Sequence, residues 1–119
     1  MVYTNNGITQ IITYLRGGSA TEPTHIALGT DNTTPDEEDT ALYAEKGRYV
    51  IGETSYGDDW IKISIVLPST SLNGNTLKEF GSFNASTSGT MYSRTINASI
   101  VKTSSLEVQY EITLRVTNG

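Results

Sequence analysis

The sequence predicts a mainly β fold, an antiparallel β-sandwich of jelly-roll or flattened-barrel form with one short amphipathic helix near the N-terminus. Three observations carry this. The stretch from Leu106 to Val116 places Leu106, Val108, Tyr110, Ile112, Leu114 and Val116 on one parity and Glu107, Gln109, Glu111, Thr113 and Arg115 on the other, the pattern of a strand with one dry and one wet face. Trp60 to Leu67 repeats it, with Ile61, Ile63, Ile65 and Leu67 opposite Trp60, Lys62, Ser64 and Val66. Helical periodicity occurs only once, so helices and strands do not alternate as a parallel sheet requires. An apolar content of 36% suits many turns and half-wet sheets better than a helical bundle. A chain of 119 residues is long enough for one core and too short for two, so residues 1–119 are read as a single domain of roughly six to eight strands.

Ile8, Ile11, Ile12 and Leu15 stand at i, i+3, i+4 and i+7, which aligns four apolar side chains on one helical face. Asn5 or Asn6 can cap this helix and Gly17-Gly18 can end it, giving a helix over about residues 6–16. A helix of some three turns is marginal alone, so this face is expected to pack on the sheet. Thr24 to Thr30 forms a short strand with Ile26 and Leu28 on one face and His25 on the other. The polar, acidic segment Asp31 to Thr40 holds nothing to bury and reads as a surface loop. Arg48 to Glu53 and Trp60 to Leu67 pair through the turn-rich Ser55 to Asp59, and Pro68 stops the second strand. Leu77 to Phe83 is a strand whose parity groups Leu77, Glu79, Gly81 and Phe83. Thr90 to Ile96 and Ala98 to Lys102 form two strands or one bent near Asn97. Leu106 to Val116 closes the domain and, at eleven residues of about 3.3 Å each, crosses all of it, so it is the expected organising strand, buried in the core or used in assembly.

Eight Lys and Arg against thirteen Asp and Glu give a net charge of −5, and the basic residues are dispersed. Nucleic acid and anionic membranes, which need basic patches, are not expected partners. The chain has no cysteine, which rules out a thiol nucleophile, a disulfide framework and a cysteine-ligated zinc site. No apolar run approaches a membrane span, and the first residues lack the basic-then-apolar pattern of a secretory signal, so membrane insertion is not expected.

Candidate sites are few. The one histidine, His25, lies inside a predicted strand and would have to serve any Ser-His-Asp triad alone; catalysis and cofactors are not expected. Gly17-Gly18 follows a helix and therefore terminates it, where a phosphate cradle would precede one. Asp31, Asp36, Glu37, Glu38 and Asp39 offer the oxygen ligands that calcium takes from a flexible loop. They lack the EF-hand spacing, and a solvated charge run is the commoner meaning of such a segment. Tyr56 and Trp60 flank Gly57-Asp58-Asp59, so Tyr56, Asp58 and Trp60 could stack on and hydrogen-bond a sugar; equally, Trp60 could cap the core. The Asn-X-Ser/Thr triplets at Asn32, Asn84 and Asn97 are expected by chance in a chain this rich in Ser and Thr.

Two stretches resemble small structural proteins of tailed bacterial and archaeal viruses. One runs from Asn6-Gly7-Ile8 through Leu15 to Pro23-Thr24-His25-Ile26-Ala27-Leu28-Gly29-Thr30 and on to Asp39-Thr40-Ala41-Leu42, Glu45 and Arg48. The other comprises Leu77-Lys78-Glu79-Phe80-Gly81-Ser82-Phe83-Asn84, Gly89-Thr90-Met91-Tyr92-Ser93-Arg94 and the terminal alternating strand, although Lys78-Glu79-Phe80 departs from the Thr-Glu-small pattern commoner there. The resemblance implies a β-sandwich, no catalytic residues and an assembly role: a non-enzymatic virion protein that oligomerises and contacts other virion proteins, on the tail or tail tip in preference to capsid decoration. A surface module binding host glycan and an extracellular filament subunit are the alternative readings. Assembly contacts are expected at the N-terminal segment and at Leu106 to Val116.

Overall fold

The computed structural model describes residues 1–116. In chain order the elements are β1 (Val2–Tyr3), α1 (Asn5–Leu15), β2 (His25–Gly29), β3 (Glu45–Val50), β4 (Glu53–Tyr56), β5 (Trp60–Leu67), β6 (Thr76–Phe83), β7 (Met91–Val101) and β8 (Val108–Arg115). They form two antiparallel sheets, one ordered β1-β7-β6-β2-β3 and the other β4-β5-β8, packed face to face as a sandwich. The inward parity of β5 supplies Ile63, Ile65 and Leu67, β8 supplies Tyr110 and Ile112, and Ile26, Leu28 and Leu77 come from the larger sheet. This is the dry face that the alternation required. A second, smaller cluster lies on the outer face of the five-stranded sheet, where Ala27, Phe83 and Met91 are covered by Leu42 from the loop before β3.

Several expectations change. The segment read as one strand, Arg48 to Glu53, is a corner at which the chain leaves one sheet for the other. The Ile51 amide donates to the Thr24 carbonyl in the large sheet at 2.9 Å, and the very next amide, Gly52, donates to the Ser64 carbonyl in the small one at 2.9 Å. Leu77 does not share a face with Glu79, Gly81 and Phe83. Leu77 pairs with Ile100 whereas Glu79 pairs with Ile96, so β7 carries extra residues opposite β6, and such a bulge turns the strand over locally. Leu77 thereby enters the inner core while Glu79 joins the outer face. Asn97 sits in the bulge, its Nδ2 donating to the Leu77 carbonyl at 3.1 Å, and the long strand Met91–Val101 is continuous through it.

The last strand is shorter than its alternation suggested and lies at an edge. Tyr110 and Ile112 are buried and Val108 and Leu114 partly so, but Leu106 precedes the strand and Val116, beyond it, is 71% exposed. The central position belongs to β5. At the same edge the Tyr3 hydroxyl donates to the Arg115 carbonyl at 2.9 Å and accepts from the Arg115 amide, tying β1 of one sheet to β8 of the other. Elsewhere Lys102, fully buried, directs its ammonium to the Ser69 carbonyl, Asn73 Oδ1 and the Thr103 carbonyl at 2.9–3.1 Å, which satisfies its three donors and fixes the loop between β5 and β6.

The helix begins one residue earlier than expected, because Thr4 is the cap in place of Asn5 or Asn6. Its hydroxyl accepts from the Gly7 amide at 2.9 Å and donates to the Met91 carbonyl, a dual role open to a hydroxyl. Gly17, at φ +80°, ends the helix, with the Gly18 amide returning to the Thr13 carbonyl at 2.9 Å. The packing face differs from the predicted one. Only Gly7 of α1 is buried, and a Cβ there would lie 2.6 Å from the Tyr92 Cα, so the helix rests backbone to backbone on β7. Ile8, Ile11, Ile12 and Leu15 remain 46, 38, 51 and 72% exposed. At 3.6 residues per turn, docking through Gly7 rotates their stripe about a quarter turn away from the sheet.

One core position carries a stability prediction. The Tyr110 hydroxyl is buried without a hydrogen-bond partner, its ring 5.0 Å from that of Phe80, and burial pushes its pKa up to about 12. Tyr110→Phe removes a desolvated hydroxyl and leaves the ring, so a gain of about 1 kcal/mol in urea unfolding is expected. The phenol is neutral in the fold while the unfolded side chain ionises near 10.0. Stability is therefore complete below pH 10 and declines as pH rises from there towards 12. The variant should lack this part of the alkaline decline.

Candidate functional site

The acidic loop is organised around a cation from the protein itself. Arg94, the last of the four buried residues that begin β7, is fully enclosed. Its Nε donates to Glu79 Oε1 at 3.0 Å, its Nη1 donates to the Thr33 carbonyl at 2.7 Å, and Asp39 and Asp31 stand 3.7 Å from Nη1 and Nη2. The Tyr43 ring covers the guanidinium at 4.4 Å, an attractive cation–π arrangement. Glu79, also fully buried, accepts the amides of Tyr43, Ala44 and Asp31 at 3.0, 2.8 and 3.1 Å. A carboxylate in this position needs several donors to offset its lost hydration, and the loop supplies them.

The five calcium candidates are thus divided. Asp31 and Asp39 turn towards Arg94, whereas Asp36, Glu37 and Glu38 are exposed. Asp39 accepts from the Asp36 amide at 2.9 Å and the Tyr43 hydroxyl at 2.8 Å, and the Glu37 carbonyl accepts the Asn5 amide at 2.7 Å at the start of α1. Among the described residues no group of three or more His, Cys, Asp or Glu side chains is placed to hold a metal. Two of the five carboxylates belong to an internal ion cluster, and part of what reads as a solvated charge run, Asp39, is buried. Hydrogen bonding from the Thr33 side chain and backbone, with a smaller contribution from Arg94, holds the Asp31 carboxyl below its ordinary pKa, and the hydrogen bond to Asp39 raises that of Tyr43.

The aromatic hairpin is also divided. Tyr56 ends β4 and is 81% exposed. Trp60 begins β5 with its indole against Gly57, where a Cβ would collide with Nε1. Trp60 and Asp58 face a cleft of about 610 Å³ that Tyr56 does not line. One wall is α1, through Ile8 and Ile11; the floor is Tyr3, Pro23 and Tyr92; the opposite wall is Trp60, Ile61, Leu114 and Val116, with Asp58, Asp59 and Arg115 at the rim. A second hollow, about 590 Å³, lies on the far side of Ile11 and Tyr92 and includes Tyr14 and Leu15. The clefts follow from the quarter turn of α1, which leaves apolar side chains overhanging the sandwich. His25 is half-buried with Nδ1 2.8 Å from the Thr24 hydroxyl, and no carboxylate is hydrogen-bonded to its ring among the described residues.

Sequence reasoning missed the Glu79–Arg94 pair. The signal was weak: opposite charges stand on consecutive strands, but Glu79 lies between Lys78 and Phe80 and Arg94 between Ser93 and Thr95. No protein-family model matches the chain, and no curated protein matches it significantly in sequence.

Proposed function

We propose that this chain is a non-enzymatic structural subunit of a tailed-virus particle, in the tail or its tip in preference to the capsid surface, and that it oligomerises and packs against other virion proteins. The observation that carries the assembly part is α1: eleven residues without a charge, whose apolar stripe is left open to water. An apolar patch of this kind on one chain marks a contact surface. The virion assignment rests on the sequence resemblance carried by Asn6 to Arg48 and Leu77 to Arg94.

Light scattering after size exclusion at low micromolar concentration tests the assembly part. A closed oligomer, such as a trimer, pentamer or hexamer, is expected; a monomer of 12.9 kDa at every accessible concentration would count against it. Glycan binding is the second reading, favoured by the sharing of one cleft between the Asp58 carboxylate and the Trp60 indole. A glycan array silent for the wild type removes it.

A further inference from the structure

We infer that the cleft beside α1 receives the α1 helix of a second copy of this chain, laid antiparallel across a two-fold axis at Ile12. The inference rests on the assembly reading above and gives it a two-fold contact, which a dimer or a dihedral hexamer contains and a cyclic trimer or pentamer does not.

The exposed side chains Ile8, Ile11, Ile12 and Leu15 have the i, i+3, i+4, i+7 spacing with which one helix packs into the grooves of another. They are not a scattered set, and with half-buried Trp60 and the 71% exposed Val116 across the cleft they offer on the order of several hundred Å² of apolar surface, approaching the roughly 800 Å² that each side of a standard interface buries. A helix whose one buried residue is Gly7, held otherwise by the Asn5 amide on the Glu37 carbonyl and by Gln10 Oε1 accepting the Thr21 amide, has a free apolar flank on which another helix fits.

Charge selects the occupant and its direction. α1 contains no charged residue, and the first beyond it is Arg16, exposed and without an ion pair or side-chain hydrogen bond among the described residues. Asp58, likewise without such a partner among them, lines the same cleft as Ile8 and Ile11. In an antiparallel pair centred on Ile12, the partner's Arg16 comes to lie opposite Ile8, at the cleft that Ile8 shares with Asp58. Both ends of a two-fold dimer then carry an Arg–Asp contact, as an isologous interface requires. A parallel pair would instead set the two Arg16 side chains side by side.

The absence of native cysteine makes the test direct. Ile12→Cys places one thiol at the proposed axis on a half-exposed position, and mild oxidation is expected to convert most of the protein to a covalent dimer. Thr54→Cys, on exposed β4, should give little. Arg16→Asp should weaken self-association at least tenfold, and adding Asp58→Arg to it should restore association; circular dichroism melts of each variant verify folding. If light scattering shows an oligomer while Ile12→Cys crosslinks no better than Thr54→Cys, or the charge reversal has no effect, assembly stands but uses another surface, and this inference is overturned. If the wild type is monomeric throughout and no crosslink forms, both the inference and the assembly reading fall.

Discussion

Glu79→Gln is expected to destabilise the protein by about 3–5 kcal/mol, the range typical of removing one partner from a buried ion pair. The substitution preserves shape almost completely, so the loss reports electrostatics and hydrogen bonding. Arg94 would keep a buried charge while losing the carboxylate 3.0 Å from its Nε, and Asp39 and Asp31, at 3.7 Å, are too distant to replace it. The new amide group would also turn donor hydrogens towards one of the backbone N–H groups, of Tyr43 on one side or of Ala44 and Asp31 on the other, that the carboxylate satisfied. Equilibrium urea unfolding measures the loss, and a fall in melting temperature on the order of 15 °C should accompany it. Replacing the pair together, as Glu79→Leu with Arg94→Met, should cost less than the sum of the single changes, because neither member of the pair is then left as a lone charge, although Asp39 and three loop amides still lose their partner. A single-variant loss below about 1 kcal/mol would show that water reaches the pair.

Gly7→Ala has the second-largest expected effect, and its sign is the informative part. In an ordinary helix interior this change stabilises by about 1 kcal/mol, since alanine is the better helix former. Here the added methyl would meet the Tyr92 Cα at 2.6 Å and the Tyr92 carbonyl oxygen at 2.8 Å. Both are backbone atoms of β7 and cannot rotate aside. Accommodating the methyl means moving α1 off the sheet, at a cost of the order of the 1–3 kcal/mol typical of overpacking, and the same shift strains the cap that Thr4 forms between the Gly7 amide and the Met91 carbonyl. The expected outcome is a net loss of about 1 kcal/mol or more in urea unfolding. A gain would mean that α1 is not held against Tyr92 in solution.

The strands that build the inner core were legible because their side chains alternate without interruption. Ile63, Ile65 and Leu67 on β5 and Tyr110 and Ile112 on β8 face inward as the parity of each segment demanded, and so do Ile26 and Leu28. Legibility failed where parity is broken or overruled. Extra residues around Asn97, where the sequence already pointed to a bend, turn β6 over between Leu77 and Glu79, and nothing in the residues of β6 itself marks that reversal. The change of sheets at Ile51 and Gly52 likewise depends on which strands lie nearby. The ion cluster was hidden because carboxylates in a loop and an arginine in a strand read as hydrated when each is considered alone; only the fold brings positions 31, 39, 79 and 94 together. The stripe on α1 was recognised correctly as apolar and aligned, but periodicity says that a face seeks a partner without saying that the partner belongs to the same chain. The small residue at position 7, which directs the docking, lies outside that periodicity.

The helix cap also imposes an order of events during synthesis. Thr4 is completed only by Met91, 87 residues further along the chain, an interval of roughly 4–17 s at the 5–20 residues per second of translation. Throughout that time α1 has no strand to rest on, and a helix of eleven residues is barely populated alone. The nascent α1 segment, apolar and uncharged, therefore waits until β7 emerges. The apolar flank of α1 is thus exposed from the moment it is made, long before the sheet that frames it exists.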